Sequence, residues 1–406
     1  MSAIIDYRGK TPRKTVSGIP LITAKIVKDG RIEKPSEFID ELEYDSWMSR
    51  GLPEVGDVVL TTEAPLGEIA QLTNDRVALA QRLILLRGKP EVLDNTYLKY
   101  LMMSVDVQSQ LHGRASGTTV LGIKQSELRK IVLSLPPIAE QRAIADLLGA
   151  LDDKIDQNRR TSLALEGLAR AIYRAWFVDF EPVKAKSAGA KEFPSMPQNI
   201  FDALPDAIVE GELGAIPNGF TVKPLTAVAA LTMGQSPPSK FYNEIGDGLP
   251  FHQGVTDFGF RFPTHRVYCT TEGRLAEAGD VLLSVRAPVG RINIADRRIV
   301  LGRGLAGLRH VDAQQSYLQY LLRHVFAEED AIGEGTVYNA VTKAFLQNMK
   351  ILVPPMEIRS AFENFVAPMD ELILRTEQAA TAPARMRDVL LPRLLSGQVR
   401  VEVRRG

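Results

Sequence analysis

The sequence predicts a mixed α/β (α+β) fold in which two similar globules are separated by an antiparallel two-helix coiled-coil spacer. Three observations predict it. Most of the 406 residues form two copies of one plan, each copy begins with short β-type runs, and each ends in a long stretch of helical periodicity. Two copies of one plan give the fold a pseudo-two-fold internal repeat.

The repeat is visible in four pairs of phrases that keep their order along the chain. They are "GKTP" at 9–12 and "GQSP" at 234–237, "GIPL" at 18–21 and "GLPF" at 248–251, "GDVVLTTEAPLGEI" at 56–69 and "GDVLLSVRAPVGRI" at 279–292, and "TYLKYLM" at 96–102 and "SYLQYLL" at 316–322. Only two copies are present, so the pattern indicates a duplication and not a solenoid.

Composition changes divide the chain into six parts. They are a first globule at 1–135, a first spacer helix at 136–180, a linker rich in Pro, Ala, Gly and Lys at 181–211, a second globule at 212–353, a second spacer helix at 354–395, and a C-terminal strand or tail at 396–406. In both copies, "KIVLSLPP" at 130–137 and "MKILVPP" at 349–355 predict a strand that stops at proline before a helix starts.

Both helices carry a heptad seam, because apolar positions step by four and three alternately. The first seam contains Ile144, Leu148, Leu151, Ile155, Leu165, Ile172 and Trp176, and the second contains Phe362, Val366, Met369, Ile373 and Leu390. Asn158 and Thr376 place a polar group at the same step of each seam. Each helix could pack on its own globule, but two aligned seams favour packing on each other. Pro383 predicts a bend or an interruption in the second helix.

Composition excludes several classes of protein. Hydrophobic residues make up 45% of the chain, but no apolar run is long enough to cross a membrane, and the start lacks the apolar core of a secretory signal. Cys269 is the single cysteine, which fits a reducing cytoplasm. The five histidines show no paired metal spacing, and no phosphate-binding glycine loop is present, so neither a metal nor a nucleotide cofactor is expected.

Net charge is zero, with 49 basic and 49 acidic residues, which by itself does not suggest a nucleic-acid binder. Charge is nevertheless uneven. Residues 1–35 and residues 261–310 each carry an excess of five basic groups. Each globule therefore has its own basic segment, which is either a DNA-facing surface or an ordinary solvated face.

Several phrases resemble the specificity subunit of type I restriction–modification systems over essentially the whole chain. They are "IDYRGKTPRKTVSGIPLITAKIVKDGRI", "TTEAPLGEIAQL", "LPPIAEQRAIADLLGALDDKI", "ELGAIPNGF" and "LLPRLLSGQVRV". The resemblance implies that each globule is a target recognition domain for one half of an asymmetric, bipartite double-stranded DNA sequence. It also implies that the helices dock two modification (methyltransferase) subunits, that restriction subunits complete the complex, and that this subunit is itself non-catalytic.

Candidate DNA-contacting residues lie in Gly- and Pro-rich loops, since such loops can approach a groove while Lys, Arg and Gln read base edges. In the first copy they are Lys10, Thr11, Arg13, Lys14, Lys25, Lys28, Thr62, Ser116 and Thr118; in the second they are Gln235, Ser236, Lys240, His252, Gln253, Arg266, Arg286 and Thr336. Ser116, Thr118 and Thr336 precede short helices, so helix capping explains them equally well.

One part of the plan differs between the copies. The second copy begins with "IPNGFTVKPLTAVAALTMGQSP", whereas the first begins almost directly at "IIDYRGKTP". Either the start of the first copy is truncated, or the C-terminal "QVRVEVRR" supplies the missing strand. A different class of function also fits a duplicated helical protein, namely a bipartite coiled-coil adaptor whose globules bind proteins. Salt-sensitive binding to random duplex DNA distinguishes the two classes.

Overall fold

The computed structural model describes residues 1–7, 11–117, 120–331 and 341–401, without the side chains of 327–331. The chain forms two compact units. The first unit comprises Met1–Gln157 and Ala380–Gly406, and the second comprises Asn158–Ala379. Both boundaries fall inside long helices, so each unit contains one part of each of these helices.

Ten α-helices are described. They are α1 (Tyr44–Trp47), α2 (Asn95–Met103), α3 (Val105–Gly113), α4 (Gln125–Leu128), α5 (Ile138–Phe177), α6 (Glu181–Ser187), α7 (Gln198–Ala203), α8 (Gln315–Ala331), α9 (Lys343–Asn348) and α10 (Met356–Leu395). The long helices α5 and α10 are the two predicted spacer helices. In the described part of the chain, no helix has the length and apolar character needed to cross a membrane.

The first unit contains ten described strands. They are β1 (Ala3–Asp6), β2 (Lys14–Thr15), β3 (Ile19–Ile22), β4 (Val27–Lys28), β5 (Arg31–Ile32), β6 (Phe38–Ile39), β7 (Val58–Thr62), β8 (Leu66–Gln71), β9 (Ala78–Leu79) and β10 (Leu83–Arg87). One antiparallel sheet has the order β1-β10-β7-β8, and a second has the order β2-β6-β3-β9 with β3 and β9 parallel. A β4–β5 pair completes the set.

The second unit contains thirteen described strands. They are β11 (Ile208–Gly211), β12 (Gly214–Pro217), β13 (Thr221–Pro224), β14 (Ala229–Met233), β15 (Tyr242–Asn243), β16 (Leu249–His252), β17 (Tyr268–Cys269), β18 (Leu275–Ala276), β19 (Val281–Ser284), β20 (Ile292–Ile294), β21 (Ile299–Leu301), β22 (Leu305–His310) and β23 (Lys350–Val353). Its sheets have the orders β14-β22-β19-β20 and β15-β17-β16-β21-β18, and β16 and β21 are parallel. Two further pairs are β11–β12 and β13–β23.

Strands matched by the repeat occupy matched places in these sheets. β1, β10, β7 and β8 of the first unit correspond in order to β14, β22, β19 and β20 of the second. The central strands β7 and β19 are fully buried because both faces are covered, which explains their unbroken apolar character. Mixed helix and strand content, expected from the sequence, is confirmed.

The glycine of the "GIPL" and "GLPF" phrases has a steric role. Gly18 and Gly248 both have positive φ, at 126° and 85°. A Cβ at Gly18 would lie 2.3 Å from the carbonyl oxygen of Ile39, and a Cβ at Gly248 would lie 2.2 Å from that of Cys269. Only glycine allows the β3 and β16 segments to approach their neighbours this closely.

The strand predicted at 130–137 is absent, whereas its counterpart in the second unit is β23. β23 pairs with β13, and no strand described in the first unit takes the corresponding position. The side chain of Gln110 instead bonds to both backbone groups of Val132, at 3.1 Å to its N–H and 3.0 Å to its carbonyl. An extended segment without a neighbouring strand cannot form a ladder.

The segment predicted as a linker is largely ordered. It contains α6, α7 and β11, and its apolar side chains Val183 and Phe201 are buried in the core of the second unit. Short helices of six or seven residues give too few turns for periodicity to be recognised in the sequence.

The structure differs from the sequence-based expectation for the second long helix, α10, and for the C-terminal tail. α10 is not interrupted at Pro383, because the helix is continuous from Met356 to Leu395. The carbonyl that loses its partner belongs to Ala379, which is exposed, so water can satisfy it. Residues 398–401 of the tail are not a strand, and 402–406 lie outside the described residues.

Candidate nucleic-acid interface

Three of the predicted reading loops of the second unit meet at one short segment, residues 302–304. Gly302 donates its N–H to the carbonyl of His252 at 2.8 Å, and Gly304 donates to the carbonyl of Gln253 at 3.1 Å. Val285 donates to the carbonyl of Gly304 at 2.9 Å. We call residues 234–236, 252–254, 285–286 and 302–304 the second loop cluster.

Glycine is required at two positions of this cluster. A Cβ at Gly302 would lie 2.6 Å from the Cα of Gln253, and a Cβ at Gly304 would lie 2.4 Å from its carbonyl oxygen. The backbone around Gln253 is therefore packed against 302–304 without intervening side chains.

The polar side chains of the second loop cluster are held by each other. Ser236 donates its hydroxyl to Oε1 of Gln253 at 2.7 Å and accepts the backbone N–H of Arg303 at 3.2 Å. Gln253 is exposed. Because Oε1 is engaged, its amide NH₂ group is the part of the side chain left to donate to a ligand.

The basic excess of residues 261–310 is largely neutralised by ion pairs. Arg266 contacts Asp257 at 3.3 Å and Glu244 at 3.5 Å, which competes with its predicted contact to DNA. Arg297, Arg298 and Arg309 also have acidic partners. Arg286 and Arg303 are exposed, and neither makes an ion pair within the described part of the chain. These two cations lie in the second loop cluster.

Lys240 and Gln235 are both exposed at this side of the second unit. Lys240 lies 5.0 Å from the ring centre of Phe241, in a cation–π contact, and its ammonium group remains accessible to an anion. Gln235 is anchored by its backbone N–H, which donates to Leu301 at 2.9 Å.

Two predicted contacts, Thr62 and His252, are corrected because both residues are buried, each at 1% exposure. Their side chains cannot reach a base in this conformation. His252 lies in a chain of groups, with Nε2 3.1 Å from Nδ1 of His265, whose Nε2 is 2.9 Å from Oδ1 of Asp296. Burial, and secondarily His265, lower the pKa of His252 to about 4. The hydrophobic patterns of β7 and β16 did not predict this burial, because Thr62 and His252 are polar residues at the ends of their strands.

The first unit has a loop cluster that shares two of the three backbone connections of the second loop cluster. Ala80 donates to the carbonyl of Ile22 and Thr62 donates to that of Arg82, both at 2.9 Å. Thr11 donates its hydroxyl to Oε1 of Gln81 at 3.4 Å. We call residues 11, 22–23, 62–63 and 80–82 the first loop cluster.

The predicted cations of the first unit divide into paired and unpaired groups. Lys14 is 2.7 Å from Glu37, and Lys28 is 3.6 Å from Glu33. Arg13 and Lys25 are exposed and make no ion pair among the residues that are described. Ser116 is exposed and exchanges two backbone bonds with Gly122 at 2.9 and 3.0 Å, in an isolated antiparallel bridge. Lys10, Thr118 and Thr336 lie outside the described residues.

The predicted seam residues of the helices are buried or half-buried. In the first unit, Ile144 and Leu148 of α5 share an apolar cluster with Leu390 and Leu394 of α10. In the second unit, Ile172 and Trp176 share one with Phe362 and Val366, and Met369 packs against its edge. Ile373 is fully buried, and Leu151, Ile155 and Leu165 are half-buried.

Sequence reasoning missed a buried polar node in the second unit. Arg261, with a side chain 2% exposed, contacts Glu166 of α5 and lies 2.6 Å from Asp370 of α10. It also donates to Oη of Tyr320 at 3.0 Å and to Oε1 of Gln319 at 2.6 Å. Burial lowers the pKa of Arg261, but Asp370, Tyr320 and Glu166 outweigh it and hold the pKa above its ordinary value. In the sequence, Arg261 looked like one more surface cation.

The first unit has a related node around Asp152 of α5. Asp152 lies 2.6 Å from Nζ of Lys99 and 3.0 Å from Nη1 of Arg387 of α10, and it accepts the hydroxyl of Tyr100 at 2.8 Å. Burial opposes ionisation of Asp152, but Lys99 and the hydrogen bonds outweigh it and lower its pKa. No group of three metal-ligating side chains is found among the described residues of either unit.

Comparison with known proteins matches these features to one class. Residues 9–166 match the family described as the type I restriction modification DNA specificity domain. This match indicates the class of proteins that carry a DNA specificity domain of type I restriction–modification systems.

Curated relatives support the same class. The chain is 26% identical over 398 residues to a Methanocaldococcus jannaschii protein provisionally named the type I restriction enzyme MjaX specificity subunit, covering 95% of this chain and 88% of the relative. It is 24% identical over 364 residues to the type I restriction enzyme MjaIX specificity subunit of the same organism, covering 86% and 78%. Both relatives are named as type I restriction enzyme specificity subunits, so the chain is similar to such subunits over most of its length.

A solved structure supports the fold. The chain is similar to the type I restriction–modification S subunit of M. genitalium, with a TM-score of 0.59 and 13% identity, covering 95% of this chain and 92% of that one. The family match does not favour the adaptor alternative, and DNA sequence specificity is the function of the class.

Proposed function

We propose that each unit reads one half of an asymmetric, bipartite DNA target. One observation carries this proposal. The two loop clusters share two backbone connections but differ in side chains, with Thr11, Gln81 and Glu63 in the first where Ser236, Arg303 and Arg286 stand in the second. A common scaffold with different polar groups suits two readers of different sequences.

The second part of the proposal concerns the helices α5 and α10. They form an antiparallel two-helix coiled coil that acts as a spacer, and the whole chain carries a pseudo-two-fold repeat. Support comes from the apolar contacts between α5 and α10 inside each unit and from the matched strand orders of the two units. About 40 residues at 1.5 Å each give a helix of about 60 Å, which bounds the spacing between half-sites.

The helices also offer a surface for two modification subunits. The buried seam residues are used within the units, so docking falls to apolar side chains that the units leave exposed. These are Leu147, Leu163 and Leu168 on α5 and Phe365, Leu372, Met386 and Val389 on α10. Exposed apolar residues at helical spacing fit partner helices of the same character. Restriction subunits then complete a cytoplasmic complex in which this chain is non-catalytic.

Selection from a random duplex library tests the reading proposal. The chain, assembled with its cognate modification subunits, is expected to enrich two short and different sequences at a fixed separation. Binding should weaken steeply between about 50 and 200 mM salt, because phosphate contacts release counterions. Enrichment of a single continuous sequence, or no enrichment at all, would contradict the proposal.

A matched pair of lysines tests the assignment of the first unit. Lys25→Ala should weaken binding to every sequence and reduce the salt slope by about one, because Lys25 is free to contact phosphate. Lys14→Ala should have a smaller effect, since Lys14 is already paired with Glu37. Equal losses from both variants would contradict the structural distinction between them.

A further inference from the structure

We propose that Arg303 and its counterpart Gln81 are specificity-determining residues, with Arg303 reading a guanine in one half-site and Gln81 an adenine in the other. This rests on the proposed function. Neither residue belongs to the loops that the sequence indicated. Their phrases, "LAQRL" at 79–83 and "LGRGL" at 301–305, fill the same place in the repeat.

The position of Arg303 is the first argument. Residues 302–304 connect β21 to β22. Their backbone bonds reach the loops at 252–253 and 285, and the N–H of Arg303 donates to the hydroxyl of Ser236 in the third loop. Arg303 therefore lies at the point where three predicted reading loops meet. Under the proposed function the second loop cluster contacts DNA, and a residue at its centre is placed to contact the same DNA.

The chemistry of Arg303 is the second argument. Its backbone N–H is fixed by the hydroxyl of Ser236 at 3.2 Å, and Gly302 and Gly304 on either side fit tightly against Gln253. Its side chain is exposed and has no acidic partner in the described part of the unit. A guanidinium on a fixed backbone that is not committed to a carboxylate can donate two hydrogen bonds to O6 and N7 of guanine.

The first loop cluster presents different chemistry at the matched place. Ala80 donates to Ile22 as Gly302 donates to His252, and Arg82 accepts from Thr62 as Gly304 accepts from Val285. Between them stands Gln81, half-buried, whose Oε1 accepts from Thr11 at 3.4 Å. That oxygen has a second lone pair, so the amide can still accept from N6 and donate to N7 of adenine.

Charge in the first loop cluster supports the difference. Arg82 is adjacent to Gln81, but it lies 3.1 Å from Glu63, at the place of Arg286 in the second unit. The first loop cluster therefore contains the neutral amide of Gln81 beside an ion pair. The second contains two cations, Arg286 and Arg303, that have no acidic partner among the described residues. The two half-sites should differ in the base read at this place.

The experiment compares base preferences of variants of the full chain, each assembled with the modification subunits. A library with one half-site randomised is selected by wild type, Arg303→Ala, Arg303→Lys and the control Arg298→Ala. Arg298 is exposed in the same unit but is 3.2 Å from Glu277. Wild type should prefer guanine at one position by about 5- to 150-fold, and Arg303→Ala should lose this preference at that position alone.

Arg303→Lys separates reading from charge. It keeps the cation but not the planar fork, so binding strength should stay close to wild type while the preference for guanine falls. Gln81→Ala should remove a preference for adenine in the other half-site and leave this one intact. Arg298→Ala should change neither. Unaltered circular dichroism and thermal unfolding establish that the variants are folded.

Two results would overturn the inference. Arg303→Ala could weaken binding to all sequences equally while every preference persists, which is the behaviour of a phosphate contact. Alternatively, preferences could change in both half-sites at once. A wild-type complex that selects no bipartite sequence is a different result, because it refutes the proposed function and not only the role of Arg303.

Discussion

Tyr100 donates its hydroxyl to Oδ2 of Asp152 at 2.8 Å, and their counterparts in the repeat, Tyr320 and Asp370, form the same bond at 3.2 Å. In both units the bond joins a helix of the globule to one of the long helices. The bond is maintained although the surrounding ions differ, with Lys99 and Arg387 at Asp152 and Arg261 at Asp370. This bond links the globule of each unit to a long helix.

Replacing Asp152 should destabilise the first unit. Asp152→Asn leaves the buried ammonium of Lys99 without its anion, and we expect a loss of about 2–4 kcal/mol in the free energy of unfolding. Asp153→Asn is the matched control, because Asp153 is adjacent to Asp152 on the same helix but is exposed. Urea unfolding measures both changes. Equal effects from the two variants would mean that the node does not stabilise the unit.

Replacing Arg261 should have the larger effect, because Asp370 then loses its cation and Glu166 keeps only its longer contacts to Arg323 at 3.4 Å and Arg170 at 3.5 Å. Arg261→Met is expected to cost about 3–5 kcal/mol in the free energy of unfolding of the second unit. Adding Asp370→Asn should recover part of the loss, because the carboxylate left without a cation is then replaced by a neutral amide. A double-mutant cycle in urea tests this, and strictly additive losses would contradict direct coupling.

The stability of the second unit should fall as the pH is lowered from about 6.5 to about 4. Burial lowers the pKa of His252 from 6.5 to about 4, so the unfolded chain takes up a proton that the folded unit resists. The stabilisation is complete above 6.5, and up to roughly 3 kcal/mol is lost by pH 4. Neighbouring His265, Asp257 and Asp296 modulate the midpoint.

Comparison of variants isolates this histidine. Thermal unfolding of His252→Gln should show a weaker dependence on pH in that window than wild type. His112→Gln is the control, because His112 is exposed in the first unit. An unchanged pH dependence in His252→Gln would show that other groups cause it.

Lengthening both long helices should lengthen the DNA between the half-sites. Seven residues inserted after Gln157 in α5 and seven after Ala379 in α10 preserve the heptad and add about 10 Å, or roughly three base pairs. Library selection should return both half-sites unaltered at the greater separation. Insertion into α5 alone breaks the pairing of the seams and should abolish selection. An unchanged separation in the double insertion would refute the spacer.

Periodic features of the fold could be predicted from the sequence, whereas features that depend on a distant partner could not. The heptads located α5 and α10 to within two or three residues at each end, and the β-type runs located β7 and β19. Residues 130–137 looked like a strand because strand propensity is local, but a ladder needs a neighbour, and β13 has no counterpart among the described residues of the first unit.

The residues of the candidate site were likewise only partly predictable from the sequence. Loops rich in Gly and Pro indicated the surroundings of Ser236 and Gln253, but not the position of 302–304 between them, since those residues are far away in sequence. Thr62 and His252 looked available because polar residues are usually exposed, yet backbone pairing buries both. Nothing in the sequence distinguished Arg261 from its exposed neighbours.

The division of α5 and α10 between the two units bears on how such proteins can be recombined. A graft cut at the Pro-Pro junctions, 136–137 and 354–355, would separate Asp152 and Asp370 from the tyrosines they hold. Cuts at 157/158 and 379/380 carry each reader together with both of its helix ends. Chimaeras joined there would inherit intact units, and under the proposed function they are expected to combine the DNA targets of whole units without redesign of loops.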